Sequence, residues 1–258
     1  VKKIKDLEGV YIEGVPKRMY PNHELLAQVL GFVGIDNVGL AGIEYLYDDQ
    51  LKGKPKILRY IIDNKGRPVK FESANMEGHS QDVRLTIDKD LQFISEKYLK
   101  QAVEKYDADV GGVGVMDAET GEILAIANYP TFDPNHPSKT PAKYHRLPFV
   151  SDPFEPGSTF KTFTVASALE NQIAKPNTNY YCERGKFKIG DHVINEAEAK
   201  KKFEWMSVEE ILQNSSNIGT TKIAFDLTYP KLKKTLKDFG FGDKTGVSIP
   251  GESRGIFT

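Results

Sequence analysis

The sequence predicts an α+β protein in two modules, and three patterns carry that prediction. Residues 1–84 hold short β-prone runs and turn signals but no helical period. Residues 110–127 spell a hairpin: Val110-Gly111-Gly112-Val113-Gly114-Val115-Met116-Asp117, a turn at Ala118-Glu119-Thr120-Gly121, then Glu122-Ile123-Leu124-Ala125-Ile126-Ala127. Around it lie helical stretches with their own start and stop signals. The chain of 258 residues is long enough for one large or two modest domains and a sizeable core. The division is expected at 84/85.

In the first module, residues 23–29 are expected to form a helix ending near Gly31. The runs Val10-Tyr11-Ile12 and Lys56-Ile57-Leu58-Arg59-Tyr60-Ile61-Ile62 read as strands, with a hairpin turn at Asp63-Asn64-Lys65-Gly66. Its glycines suit turns. A linker at Met76-Glu77-Gly78-His79-Ser80 leads to a short strand, Val83-Arg84-Leu85-Thr86-Ile87. Asp88 then caps a helix reaching Tyr106, with Leu91, Ile94, Tyr98, Leu99 and Val103 on the face expected to enter the core. Residues 136–153 form a Pro-rich loop. After a helix over 162–170 the chain turns polar, with short strands near Phe187 and Val193. Ser207-Val208-Glu209-Glu210 is a capping box, and helices follow at 218–227 and 229–239, the last stopped by Gly240.

Composition excludes several classes. A formal net charge of −1 argues against a general nucleic-acid binder. The single cysteine, Cys182, excludes an internal disulfide and reads as an inert buried thiol. No apolar run is long enough for a membrane span, and no signal peptide is visible. His136 and His145 have no metal-ligand partners at useful spacing, so no metal is expected, and nothing implies an organic cofactor. Gly111, Gly112 and Gly114 match neither a dinucleotide fingerprint nor a P-loop.

The chemistry-bearing stretch is Phe154-Glu155-Pro156-Gly157-Ser158-Thr159-Phe160-Lys161. Ser158 falls at a helix start, and Lys161, three residues on, shares its face. A lysine whose charge is disfavoured by burial can take a serine's proton, and the helix N-terminus favours an oxyanion. Ser-x-x-Lys alone is a pattern that chance supplies in a chain of this length, and taken alone it reads as an ordinary capped surface helix. A second motif, Gln213-Asn214-Ser215-Ser216-Asn217-Ile218-Gly219, offers a hydroxyl and an amide two residues apart between helices. Such groups can relay a proton and hold a lysine and a substrate carbonyl, or merely cap the next helix.

Together, Phe-Glu-Pro-Gly-Ser-Thr-x-Lys and the later Ser-Ser-Asn-x-Gly resemble the class B penicillin-binding proteins, serine transpeptidases of peptidoglycan. Arg18-Met19-Tyr20-Pro21, Leu30-Gly31-Phe32-Val33-Gly34, Gly39-Leu40-Ala41-Gly42-Ile43-Glu44 and Leu51-Lys52-Gly53 are similar to the family's non-catalytic pedestal. The resemblance, nearest to the septal division branch, implies a penicillin-binding/serine β-lactamase-like transpeptidase domain over 85–258 behind a partial pedestal or dimerisation-type module over 1–84. It implies Ser158 as nucleophile, Lys161 as base, Ser215 as proton relay, Asn217 as orienting amide and Ser216 as a substrate contact. The expected partners are stem peptides, β-lactams and other cell-wall or division proteins through the pedestal. The expected location is the extracytoplasmic face of the membrane, with an anchor helix supplied by the parent protein.

Lys244-Thr245-Gly246 looks like the family's third motif but lies close behind Asn217 and is followed by Val247 instead of a hydroxyl residue. It is read as a turn, so the true motif is expected beyond residue 258, with the chain cut at both ends. Two alternatives remain: a β-lactamase or β-lactam sensor of the same fold, against which the long first module argues, and an inactive scaffold of the cell-wall machinery.

Overall fold

The computed structural model describes residues 17–53, 58–65, 67–74, 80–198 and 200–257. The predicted Val10-Tyr11-Ile12 strand, Lys56 and Ile57 of the next, Gly66 of its turn, and linker residues 76–79 lie outside the described residues. The backbone separates into two compact units, residues 1–151 with 248–252 and residues 152–247 with 253–258. Within the first unit, Leu26, Val29 and Ile43 share one apolar core with Ile126 and Leu147.

In the first unit, α1 (Ala27–Leu30), α2 (Gly42–Leu46) and α3 (Asp48–Lys52) precede a hairpin of β1 (Leu58–Ile62) and β2 (Pro68–Ala74). The helix expected over 23–29 is cut down to α1, since His23 and Leu26 take left-handed backbone conformations that no helix tolerates. The Asp63 carboxylate fixes the β1–β2 turn by accepting from the amides of Lys65 (2.8 Å) and Arg67 (2.9 Å). Arg18 donates through Nε to the buried Glu44 carboxylate at 2.7 Å. Close backbone approach explains the Gly31–Gly42 pair, for a Cβ on Gly31 would lie 1.9 Å from the Ala41 carbonyl oxygen.

The helix after Asp88 forms as the sequence predicts. It is α4 (Lys89–Tyr106), and the Asp88 side chain accepts from the amides of Asp90 and Leu91. Its predicted inner face does not hold: Val103 is buried and Leu99 half-buried, whereas Leu91, Ile94 and Tyr98 are exposed. The wholly buried side chain is Gln92, whose amide donates to the Ile126 carbonyl (3.0 Å) and accepts from the Ile126 N–H (2.9 Å). Both backbone groups of Ile126 thus find their partner in one buried side chain of α4. The hairpin is β3 (Gly111–Met116) antiparallel to β4 (Ile123–Tyr129), followed by α5 (Pro148–Ser151). Residues 83–87 form no ladder. They run beside β4 through Thr86 Oγ1 to the Ile123 carbonyl (2.6 Å) and the Asp88 amide to the Leu124 carbonyl (2.8 Å).

The second unit carries the two motifs. A 3-10 turn, Gly157–Phe160, runs without a break into α6 (Lys161–Glu170). Four short strands pair in two antiparallel ladders: β6 (Lys186–Ile189) with β7 (His192–Asn195) as a hairpin, and β5 (Asn179–Tyr181) with β8 (Trp205–Ser207), which flank that hairpin in the chain. The pair β5–β8 was not foreseen, being only three residues long on each side. Then come α7 (Val208–Gln213), α8 (Asn217–Leu227) and α9 (Tyr229–Asp238). The core joins Val165 and Ala168 of α6 to Val208 and Ile211 of α7 and Ile218 and Ile223 of α8, with Cys182 and Met206. Each fully buried Ile or Val there stabilises the unit by about 1.5–3 kcal/mol, and this is what holds α6 against α8. The buried Ser167 hydroxyl donates to Thr235 Oγ1 at 2.8 Å and ties α6 to α9. Phe160 and Phe163 stack edge-on with Phe241, at 5.7 and 4.9 Å between ring centres, bracing the turn that holds Ser158.

Candidate active site

All five residues singled out from the sequence lie in the second unit. Gly157, in left-handed conformation, lets the chain turn into the 3-10 segment. Residues three apart eclipse in such a segment, so Ser158 and Lys161 project to one side. Ser158 is exposed, and among the described residues its hydroxyl makes no hydrogen bond. Lys161, the first residue of α6, is half-buried.

The second motif is positioned by two consecutive caps. The Ser207 hydroxyl accepts from the Glu210 amide while the Glu210 carboxylate accepts from the Ser207 amide, which opens α7. Ser215, with φ of 54°, turns the chain out of α7, and Ser216 N-caps α8 by accepting from the Gly219 amide at 3.0 Å. Asn217 is thereby the first residue of α8. Its Nδ2 donates to the Asn195 carbonyl (2.8 Å), which fixes the amide so that Oδ1 faces Lys161.

Lys161 Nζ is the centre of the site. It lies 2.6 Å from the Ser215 carbonyl oxygen, 2.9 Å from Ser215 Oγ and 2.6 Å from Asn217 Oδ1. The carbonyl and the amide oxygen can only accept, whereas the hydroxyl can do either. A neutral amine has two N–H groups and one lone pair, so it can satisfy both obligate acceptors and keep the lone pair for an O–H. Burial pushes the Lys161 pKa down, partly opposed by the negative charge of Glu196 and aided by the positive charge of Lys201.

The structure thus brings together Lys161, Ser215 and Asn217, with Ser158 on the same turn as Lys161. It corrects the reading of Ser216 as a substrate contact. That side chain is wholly buried, and its hydroxyl is spent on capping α8 and on donating to Glu196 Oε1 at 2.6 Å. Lys244-Thr245-Gly246 lies outside every described strand.

One residue escaped the sequence reading. Glu196, directly after β7, is 7% exposed and also accepts from the Asn217 amide at 2.7 Å. In the sequence it is one acid in a polar, turn-rich run ahead of Lys200-Lys201-Lys202, and nothing local distinguishes it from a solvated surface carboxylate. Among the described residues, no group of three or more His, Cys, Asp or Glu side chains could hold a metal ion. No helix among them is long and apolar enough to cross a membrane.

The model of the penicillin binding protein transpeptidase domain matches residues 111–258, and that of the penicillin-binding protein dimerisation domain matches residues 1–85. Stage V sporulation protein D of Bacillus subtilis is 38% identical over 99% of this chain and 40% of its own length. Peptidoglycan D,D-transpeptidase FtsI of Escherichia coli is 32% identical over 100% of this chain and 43% of its own. Penicillin binding protein 3 of Mycobacterium tuberculosis, solved with ampicillin, superposes with a TM-score of 0.79 and 31% identity, covering 94% of this chain and 50% of that one. The chain therefore spans about two fifths of the length of these curated relatives.

Proposed function

The chain belongs to the penicillin-binding protein transpeptidase family, and on that premise we propose that it supplies the nucleophile turn and proton-handling centre of a peptidoglycan D,D-transpeptidase. The observation that carries this reading is the Lys161 amine, held by Ser215 and Asn217 beside the turn of Ser158, with its charged form disfavoured by burial.

In the first step the neutral Lys161 amine takes the Ser158 hydroxyl proton as Ser158 Oγ bonds to the carbonyl carbon of the penultimate D-alanine. The resulting oxyanion is met by the backbone N–H of Ser158 on the 3-10 turn that leads into α6, as half of an oxyanion hole. Collapse breaks the C–N bond, and the proton passes from Lys161 through Ser215 Oγ to the departing D-alanine amine. The ester on Ser158 is then attacked by an amine of a neighbouring stem peptide, which forms the cross-link and frees the serine. A β-lactam enters by the same first step and leaves a lasting ester. The chemistry needs no cofactor. Residues 1–85, with their match to a dimerisation domain, are read as the pedestal through which other cell-wall proteins engage. The septal division branch and the extracytoplasmic face of the membrane complete the reading.

The test is intact mass spectrometry of the full-length protein before and after incubation with benzylpenicillin, with peptide mapping. The expected result is one adduct on Ser158, absent from Ser158→Ala. An unlabelled wild type, or an adduct elsewhere, overturns the assignment.

A further inference from the structure

We propose that Glu196 is a positioning residue for acyl transfer, a buried carboxylate that clamps the N-terminus of α8 so that Ser215 and Asn217 present their oxygens to Lys161. The inference rests on the acyl-transfer reading above and deepens it. Its two carboxylate oxygens do separate jobs: Oε1 accepts from Ser216 Oγ at 2.6 Å and Oε2 from the Asn217 backbone amide at 2.7 Å. One donor is the hydroxyl of the N-cap residue and the other the first amide of the helix, where amides lack intrahelical acceptors and the peptide dipoles favour a negative charge. Hydrogen bonds to an ionised acceptor are about twice as strong as neutral ones, so the clamp holds a segment whose neighbour Ser215 occupies a left-handed conformation. The preceding residue closes the frame, because the Asn195 carbonyl orients the Asn217 amide. Strand β7 and the residue after it therefore define where both of the lysine's obligate acceptors sit.

The carboxylate also acts at a distance. The charged groups that face Lys161 are Glu196, which favours the ammonium form, and Lys201, which opposes it and is itself paired with Glu198 at 2.8 Å. On the far side of the clamp, the buried Cys182 lies 3.8 Å from Ser216 Oγ, and Glu183 pairs with Lys222 at 2.6 Å. Removing the charge of Glu196 leaves Lys161 more readily neutral, so a rate that needs the neutral amine extends to lower pH. Removing the whole side chain also strands the Asn217 amide and frees the motif to shift, and a misplacement on the order of 1 Å costs about 10²-fold in rate.

The experiment measures the second-order rate of acylation by benzylpenicillin from acid to neutral pH in the full-length wild type, Glu196→Gln, Glu196→Asp and Glu196→Ala. Glutamine keeps the shape and one acceptor, so its acidic limb moves to lower pH. Alanine loses about 10²-fold at neutral pH, where the amine's protonation no longer limits the rate, and aspartate recovers part of that loss. A Gln variant with an unmoved limb, together with an Ala variant within twofold of wild type, overturns the inference while the catalytic assignment stands. A Gln limb that stays put while Ala merely lowers folded yield assigns Glu196 a structural role and likewise overturns it. A wild type that takes no penicillin removes both readings.

Discussion

Ser158 and Ser216 carry the same hydroxyl in opposite settings. Ser158 stands exposed on a 3-10 turn and makes no side-chain hydrogen bond among the described residues. Ser216 is wholly buried, donates to Glu196 and accepts from the Gly219 amide. The contrast separates the tasks of a site. A nucleophile's oxygen must be free to leave its ground-state surroundings and bond to carbon, so partners held in the resting protein would have to be broken. A proton-handling group gains from the reverse, because every bond that fixes its acceptors is made before the reaction starts. Lys161 stands between them, sharing a face with Ser158 and taking three contacts from the segment that includes Ser216.

The largest expected effect comes from cutting that bridge. Lys161→Met removes the base while keeping a long apolar stem on α6. The acylation rate with benzylpenicillin should fall about 10³-fold, within the range that general-base removal produces. The thermal unfolding midpoint should change little, because the stranded oxygens of Ser215 and Asn217 lie at a part-buried site that water can reach. A loss below tenfold would show that the exposed serine does not depend on the lysine, and the division of labour would fail.

Much of this arrangement was legible because it is local. The capping box at Ser207, the cap at Asp88, the turn that joins β3 to β4 and the spacing of Ser158 to Lys161 depend on residues within a few positions of one another. What escaped depends on partners far along the chain. Glu196 reaches the Asn217 amide across 21 positions, and Gln92 meets Ile126 across 34. No helical or strand period marks a polar side chain that goes inward to meet a backbone. The same blindness explains the error over α4, where Leu91, Ile94 and Tyr98 followed the apolar period but stayed exposed while Gln92 was buried. Ser216 has a related history: the family resemblance implied a substrate contact, and only the packing reveals that its side chain faces inward.

A smaller effect tests the buried side of the comparison through packing alone. Gly219, in the first turn of α8, has no room for a side chain, since a Cβ there would lie 2.6 Å from Ile211 Cγ1. Gly219→Ala should destabilise the protein by about 1–3 kcal/mol, the usual cost of overpacking, and should displace the start of α8. Ile211→Val in the same chain removes Cδ1, which would lie 2.7 Å from that Cβ, and leaves a smaller side chain that can draw back; it should restore part of the unfolding midpoint and of the acylation rate together. Recovery of stability without recovery of rate would mean that the geometry of this segment and the chemistry of Lys161 are independent.

The smallest effect is electrostatic and has a definite sign. Lys201 lowers the proton affinity of Lys161, so replacing it by glutamine makes the ammonium form easier to keep. The acidic limb of the acylation profile then moves to higher pH, opposite to the shift expected for Glu196→Gln. Two features keep the effect modest. Lys201 is already paired with Glu198 at 2.8 Å, which cancels part of its field. The residue also reaches solvent, where salt screens charges beyond about 8 Å at physiological ionic strength. The Lys201→Gln displacement should therefore shrink as sodium chloride is raised, while that of the buried Glu196 should persist. Equal salt sensitivity in the two variants would mean that Glu196 acts on Lys161 through solvent, as a surface charge does, and its burial beneath α8 would then serve packing alone.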